Sequence, residues 1–491
     1  VAGLGTILIR LMIKEISDLS FWGDGSILDN IKNVPWYWRI IVPTIGGLIV
    51  GPVIYFFSKE SKRSGVPDVM QSVLIRGGYI RPRVAIVKAI TTAITIGTGG
   101  SVGREGPIVQ IGASIGSTVG QFFNVSAQRT KTFVGCGAAA GIAAAFNAPV
   151  AGALFAVEII LQDFAFAQFS PIVISSVMAT VVSHSFEGNF TEFLIPEYQL
   201  VSYHEMWLYL ALAFFVAIIG FIFVKSIYFT EDIFELKIKV PVYLKPAIGG
   251  ALVGCVAVFF PDIMGVGYES INNALLGRTI GILALLLVLV KIVSTSITVG
   301  SGASGGVFAP SLFLGAMTGV YFGGIVQKIF PGMTGDPGAY ALVAMGGLVS
   351  AVTHAPITAI IMIFELTNNY TIILPLMVTC IFSTAISTKL SRESVYTLSL
   401  LRRNIHISHG SEIDVMKSIF VKDVFTRSTN AIPEDLNFGE IVNRLLISKD
   451  PYLPVLNDRR ELTGIISLTN IRELLFEKDV LSDVMIASDV A

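Results

Sequence analysis

Residues 87–116 recur as residues 290–319, and this duplication limits the chain to architectures with two similarly folded halves. At a constant offset of 203, thirteen of the thirty positions are identical: Val87, Lys88, Thr92, Ile94, Thr95, Gly97, Gly99, Ser101, Gly103, Pro107, Gly112, Ala113 and Gly116. Further on, Ala148-Pro149 and Glu158 match Ala355-Pro356 and Glu365, with nine residues from proline to glutamate in both copies.

The copies lie among apolar stretches long enough to cross about 30 Å of hydrocarbon. The best defined run over residues 40–57, 133–161, 207–224, 280–299 and 341–364. Only 14% of the residues are charged, against about 25% in a soluble domain. The chain therefore reads as an all-α polytopic membrane domain, with 47 glycines suited to close helix packing and to broken helices. Duplicated membrane proteins place their sites near the mid-plane, where matched Gly/Pro-interrupted segments meet. A net charge of −1 argues against nucleic acid as a partner. Cys136, Cys255 and Cys380 sit in apolar surroundings without metal-ligand spacing and read as packing residues. The start at Val1 reads as a trimmed N-terminus rather than a signal peptide.

In each copy a glycine-rich loop runs into a proline and then an apolar helix: Gly103-Arg104-Glu105-Gly106-Pro107 and Gly306-Val307-Phe308-Ala309-Pro310. Proline suits the first helical turn, whose N–H groups lack internal acceptors. Those N–H groups and the positive end of the helix dipole attract an anion without a full positive charge. Two such helix starts converging from two repeats make a site that binds an anion without trapping it, as conduction requires. Glu105 is the informative difference, because its counterpart is Phe308. A carboxylate at membrane depth is costly and marks function. On a helix start it acts as a tethered anion that competes with the permeant ion, and protonation releases it. Lys88 and Lys291 match across the copies, and two readings stand for them: they raise the local positive potential, or they pair with carboxylates. Glu158 and Glu365 also match, which suggests a structural role at helix ends.

These loops, together with Tyr396, resemble the signature of the CLC chloride channel and transporter family. The family's Gly-Ser-Gly-Ile-Pro motif appears as Arg63-Ser64-Gly65-Val66-Pro67. The resemblance covers nearly the whole chain and implies two inverted repeats, about eighteen helices, and a homodimer with one pore per subunit. It implies that Ser64 and Tyr396 donate hydroxyls to a central chloride, with the backbone N–H groups of Val307 and Phe308 completing the shell. Arg104 and Gly106, flanking Glu105, are assigned to the same anion-binding set. Neutral donors hold a halide weakly enough to release it. Nitrate-selective members tend to carry proline in place of Ser64, which favours chloride. Proton-coupled members use a second, internal glutamate where this chain has Ile159, so the resemblance favours passive chloride flow gated by Glu105. A proton/chloride antiporter with another internal proton route is the alternative. No enzyme activity and no required cofactor are expected; chloride is the bound ion.

Beyond Lys389 the basic residues Arg392, Arg402 and Arg403 come after the last apolar span, which places the remainder of the chain in the cytoplasm. Lys59, Lys62, Arg63, Arg76, Arg81 and Arg83 form a second basic stretch on that side. The reading divides the chain into a membrane domain over 1–400 (repeats roughly 1–200 and 201–400), a linker over 401–415 and a small α/β domain over 416–491. The last resembles a CBS module, with Leu481-Ser482-Asp483-Val484-Met485 echoing Val421-Lys422-Asp423-Val424-Phe425 as the start of an incomplete second copy. Such modules often bind adenine nucleotides through Ser or Thr followed three residues later by Asp. Here Ser467 is followed by Asn470, which leaves a nucleotide site and a purely structural tail both open.

A second class of function is suggested by Gly302-Ala303-Ser304-Gly305, which resembles the nucleophile loop of intramembrane serine proteases, with His354 as base. Ser304 matches Ser101, however, and His354 takes the place of Asn147 in the other copy. Repeat architecture accounts for both.

Overall fold

A computed structural model describes residues 1–23, 26–57, 65–164, 166–188, 193, 195, 196, 198, 201–279, 281–367, 369–405, 430–448, 452–472, 474–477, 481, 482 and 484–490. The chain divides into two compact units, Val1–Asp414 and Val415–Ala491.

Among the described residues of the first unit there are eighteen α-helices, from Ala2–Phe21 to Val395–Leu401. Seven helical stretches are long and apolar enough to cross a membrane, Trp38–Phe57 and Ile282–Gly300 among them. Two of the stretches read from hydropathy as single spans are broken. Residues 133–161 comprise the end of helix Ala127–Phe146, helix Pro149–Phe155 and a wide π-turn over Ala156–Leu161. Residues 341–364 divide in the same way between Pro337–Thr353 and Pro356–Thr367. The cause is local: Asn147 and His354 cap the first helix of each pair in the left-handed conformation, both at φ 56°. Proline then opens the next helix at N1.

Matched glycines let the helices approach closely. A Cβ on Gly112 would strike the backbone of Gly137, and one on Gly137 would strike Gly112, so helices Glu105–Phe122 and Ala127–Phe146 touch main chain to main chain. In the second copy Gly315 and Gly319 meet the backbone of helix Pro337–Thr353 in the same manner. Ile405 is buried in the main core, so the first unit's packing runs past residue 400. Of the cysteines, Cys380 is buried and Cys136 half-buried, while Cys255 is exposed and is not a packing residue.

The second unit has a three-stranded sheet in the order β1 (Ile432–Pro433), β2 (Tyr452–Leu456), β3 (Leu462–Ser467). β1 and β2 are parallel, joined through helix Phe438–Ile447, and β3 returns antiparallel to β2. The helix buries Phe438, Ile441, Val442 and Leu445 against Leu453, Val455 and Ile466. That face arises from apolar residues three and four apart meeting a strand that buries alternate positions.

Candidate anion site

The two copies meet through contacts between equivalent residues. Gly103 and Gly306 exchange backbone hydrogen bonds, Gly103 N donating to Gly306 O at 2.8 Å and Gly306 N to Gly103 O at 2.6 Å. Thr92 pairs with Ser304 (2.9 Å), and the equivalent Thr295 with Ser101 (3.3 Å). Glu158 accepts from Ile357 N and Thr358 N at the start of helix Pro356–Thr367 (3.1 and 2.6 Å). Glu365 does the same for Val150 N and Ala151 N at the start of helix Pro149–Phe155 (2.9 and 2.7 Å). Each carboxylate caps the other copy's helix and satisfies N–H groups that hydrocarbon leaves stranded. Reciprocal contacts of this kind are those of a two-fold relation between the halves.

The symmetry fails at Glu105. Glu105 and Phe308 open helices Glu105–Phe122 and Phe308–Ile329, and both side chains are buried at 1% exposure. Phe308 packs between Phe146 and Phe155, with ring centroids 5.7 and 6.3 Å away. The Glu105 carboxylate crosses to the other copy, where Oε2 accepts from Ala309 N at 3.3 Å. It thereby occupies the anion position at the start of helix Phe308–Ile329. Its Oε1 accepts from the Tyr268 hydroxyl at 2.6 Å. Gly103 leaves room for this pose, since a Cβ there would meet Oε2.

The remaining residues of the expected anion set divide between two places. Val307 and Tyr396 line one cavity of about 30 Å³ together with Gly65, Asp68, Glu231 and Arg403, room for one or two water-sized occupants. Ser64 lies outside the described residues, as do Lys59, Lys62 and Arg63. Tyr396 is 2% exposed on helix Val395–Leu401, whose start is closed by a capping box of Ser394 and Thr397. Gly106 belongs to the first turn of helix Glu105–Phe122, against which the Gly65 loop packs. Arg104 turns away: its guanidinium lies over the Tyr268 ring at 5.3 Å and lines a different cavity, of about 200 Å³, with Tyr268 and Glu269. Ile159 is 4% exposed within the apolar core. Lys291 is buried but donates to the carbonyls of Ile263 and Gly265 (2.9 and 3.2 Å) and faces the Phe313 ring at 4.9 Å, an arrangement outside both expectations for it. Lys88, its equivalent, is equally buried.

Tyr268 is a site residue that the motif reading missed. Its signal is a weaker repeat: Gly265-Val266-Gly267-Tyr268 stands 200 residues after Gly65-Val66-Pro67-Asp68, and Gly277 stands 200 after Gly77.

Ser304 is occupied by Thr92, and His354 Nε2 lies 3.4 Å from Ser387 Oγ. Ser304 and His354 share no hydrogen bond among the described residues, so the pair forms no nucleophile and base. In the second unit Ser467 and Asn470 bond to one another as the capping box of helix Leu468–Ile471. The expected echo at residues 421–425 lies outside the described residues.

Two interlocked helical halves, with helix starts meeting at their interface and a carboxylate docked on one of them, define a duplicated membrane transport protein. The family model for voltage gated chloride channels matches residues 46–388. A ClcB-like chloride channel protein of Ralstonia nicotianae is 34% identical over 403 residues, 81% of this chain and 94% of that one. The H(+)/Cl(-) exchange transporter ClcA of Vibrio parahaemolyticus is 33% identical over 381 residues, 75% of this chain and 80% of that one. Among solved structures, a slow cyanobacterial Cl-/H+ antiporter superposes with a TM-score of 0.74 at 24% identity, covering 82% of this chain and 95% of that one. A eukaryotic CLC transporter gives 0.68 at 20% identity over 97% of this chain and 86% of that one. The chain belongs to the CLC family of voltage gated chloride channels and transporters.

Proposed function

We propose that the protein carries chloride across a membrane along a route closed by the Glu105 carboxylate. The observation that carries this reading is the docking of Glu105 on Ala309 N, where a side chain of one repeat stands in for an anion at the helix start of the other. Val307, Phe308 and Tyr396 are assigned to the inner part of the route, Ser64 joins them on its sequence motif alone, and Arg104 and Gly106 flank Glu105 in the sequence. Replacing Glu105 with Gln removes the charge that competes with chloride and mimics the protonated gate. Chloride efflux from liposomes carrying E105Q is expected to be nearly independent of pH between about 4 and 8, a range chosen to span the usual carboxylate titration. Efflux that stays steeply pH-dependent refutes the gate.

Passive flow is the favoured mode, because Ile159 offers no proton acceptor and sits in apolar packing. Coupled exchange has one observation in its favour: Asp68 and Glu231 line the cavity beside Tyr396 and supply carboxylates on that side of the gate. Relatives described as H(+)/Cl(-) exchange transporters lend it further support. A chloride gradient that drives protons uphill in liposomes decides for exchange.

The protein is read as an integral, multi-pass homodimer with the Val415–Ala491 unit in the cytoplasm. That unit is read as a CBS-type module, supported by its parallel β1–helix–β2 unit. Adenine nucleotide is its candidate ligand. Engaging Ser467 and Asn470 would require opening their mutual cap.

A further inference from the structure

We propose that Tyr268 is the latch of the gate: its hydroxyl holds the Glu105 carboxylate in the docked position and so sets how readily protons and chloride displace it. The inference rests on the gating role of Glu105 and adds a positioning residue to it.

The Tyr268 Oη to Glu105 Oε1 distance of 2.6 Å is shorter than the 3.3 Å from Ala309 N to Oε2, so the hydroxyl is the closer of these two donors. A hydrogen bond to an ionised acceptor is among the stronger kinds. It also acts on the docked, ionised state, because a protonated Glu105 has lost the charge and an undocked one is out of reach of the hydroxyl. Tyr268 opens helix Tyr268–Leu275, and the loop before it is fixed from two directions. Lys291 donates to Ile263 O and Gly265 O, and Gly265 N donates to Gly99 O (3.4 Å) in the first copy's glycine-rich loop. The ring is held by the edge of Phe193 at 5.2 Å and by Arg104 at 5.3 Å.

The duplication separates scaffold from device. Gly65 and Gly265 both sit at positive φ (69° and 62°), as do Gly77 and Gly277 (59° and 69°). The two loops and the short helices after them thus correspond in sequence and in glycine φ, the second helix starting at Tyr268 where the first starts at Val66. At the fourth position of these segments the first copy carries Asp68, tied to Arg403, and the second carries Tyr268, tied to the gate. Packing inherited through the repeat does not account for a tyrosine there, whereas holding Glu105 does.

The charged and titratable groups around the pair are Arg104 on the gate's own segment, Tyr396 across the route, Lys291 behind the Tyr268 loop, and Asp262 and Glu269 in the adjoining cavity. Tyr268→Phe leaves all of them, and the ring, in place.

The test is chloride efflux from liposomes against pH for wild type, Y268F, E105Q and the double variant. Losing the hydroxyl weakens the docked, charged state, so the pH of half-maximal flux in Y268F is expected to rise by about one unit, the equivalent of a tenfold change. In the E105Q background the second substitution should change nothing, the non-additivity expected of direct partners. Chloride titration in detergent gives an independent readout: a looser carboxylate competes less, so Y268F should bind chloride about tenfold more tightly. An unmoved midpoint in Y268F beside a flat E105Q profile overturns the latch and leaves the gate standing. A Y268F shift that persists without the carboxylate also overturns it. A steep profile in E105Q removes the gate itself, and the latch with it.

Discussion

Truncating Glu158 should unfasten one half of the membrane unit from the other, and the size of the loss can be worked from its contacts. The carboxylate accepts from Ile357 N (3.1 Å), Thr358 N (2.6 Å) and Thr358 Oγ1 (2.6 Å). Glu365 accepts only the two bonds from Val150 N and Ala151 N among those described. Net hydrogen bonds to a charged group contribute about 1.5–3 kcal/mol each, and loss of a helix cap costs about 0.5–2 kcal/mol. Because bonds to one carboxylate are not additive, Glu158→Ala is expected to cost about 3–4 kcal/mol and Glu365→Ala about 2–3 kcal/mol. Glu→Gln at either site should cost about half as much, since one oxygen remains an acceptor while the new NH2 group faces an N–H donor. Reversible denaturant unfolding of the purified protein in detergent measures the order directly. The reasoning fails if Glu158→Ala unfolds like the wild type. A Glu158→Gln variant of wild-type stability but altered pH dependence would assign Glu158 to proton movement instead of to capping.

Substitutions at two further positions probe the breaks and the gate. Gly103→Ala puts a methyl group where Glu105 Oε2 lies, so it should expel the carboxylate from Ala309 N and raise chloride efflux at neutral pH towards the E105Q level; efflux matching the wild type contradicts the docked pose. His354 holds a left-handed cap, so His354→Asn, the residue its counterpart Asn147 already is, should cost less than about 0.5 kcal/mol and leave transport unchanged. His354→Val should cost about 1–3 kcal/mol by the same denaturation assay, because a β-branched side chain is strained there.

The sequence carried the duplication, the paired helix starts and the oddity of Glu105 openly, because each depends on identity at fixed spacing. The breaks at Asn147 and His354 were hidden, since hydropathy counts side chains and does not register a residue at positive φ between two apolar helices. The bridging role of Glu158 and Glu365 was half visible: their match across the copies pointed to helix ends, but not to the ends of each other's helices. Tyr268 was hidden for a different reason. Its loop repeats Gly65-Val66 at an offset of 200, whereas the helix starts repeat at 203 and the Pro-to-Glu segments at 207. A comparison at one fixed offset passes over it. Arg104 adjoins Glu105 in the sequence, but adjacency does not give a side chain's direction, and its guanidinium lies over Tyr268.

Where the halves match, they hold each other together; where they differ, the differences gather around Glu105 and in the cavity beside Tyr396. Gly103 with Gly306, Thr92 with Ser304 and Glu158 with Glu365 are equivalent or reciprocal contacts, and each closes the interface from both sides. Glu105 against Phe308, Arg104 against Val307 and Tyr268 against Asp68 are mismatches. Glu105 and Arg104 both meet Tyr268, and Val307 and Asp68 line one cavity beside Tyr396. This distribution has an energetic reason. An ionised side chain at the centre of a membrane helix costs about 2.5–3.5 kcal/mol or more, and a two-fold scaffold cannot favour such a charge at one position alone without an asymmetric donor. Ala309 N gives Glu105 the helix start, a donor that the scaffold already has in both copies. Tyr268 adds the donor that only one copy has. On the proposed gating role, the backbone donor that makes the buried carboxylate tolerable also defines what can replace it: a small anion able to accept from the same N–H group at this helix start. Under that proposal the Tyr268 hydroxyl serves the carboxylate alone, so a substitution that removes it is expected to strengthen anion binding at the helix start.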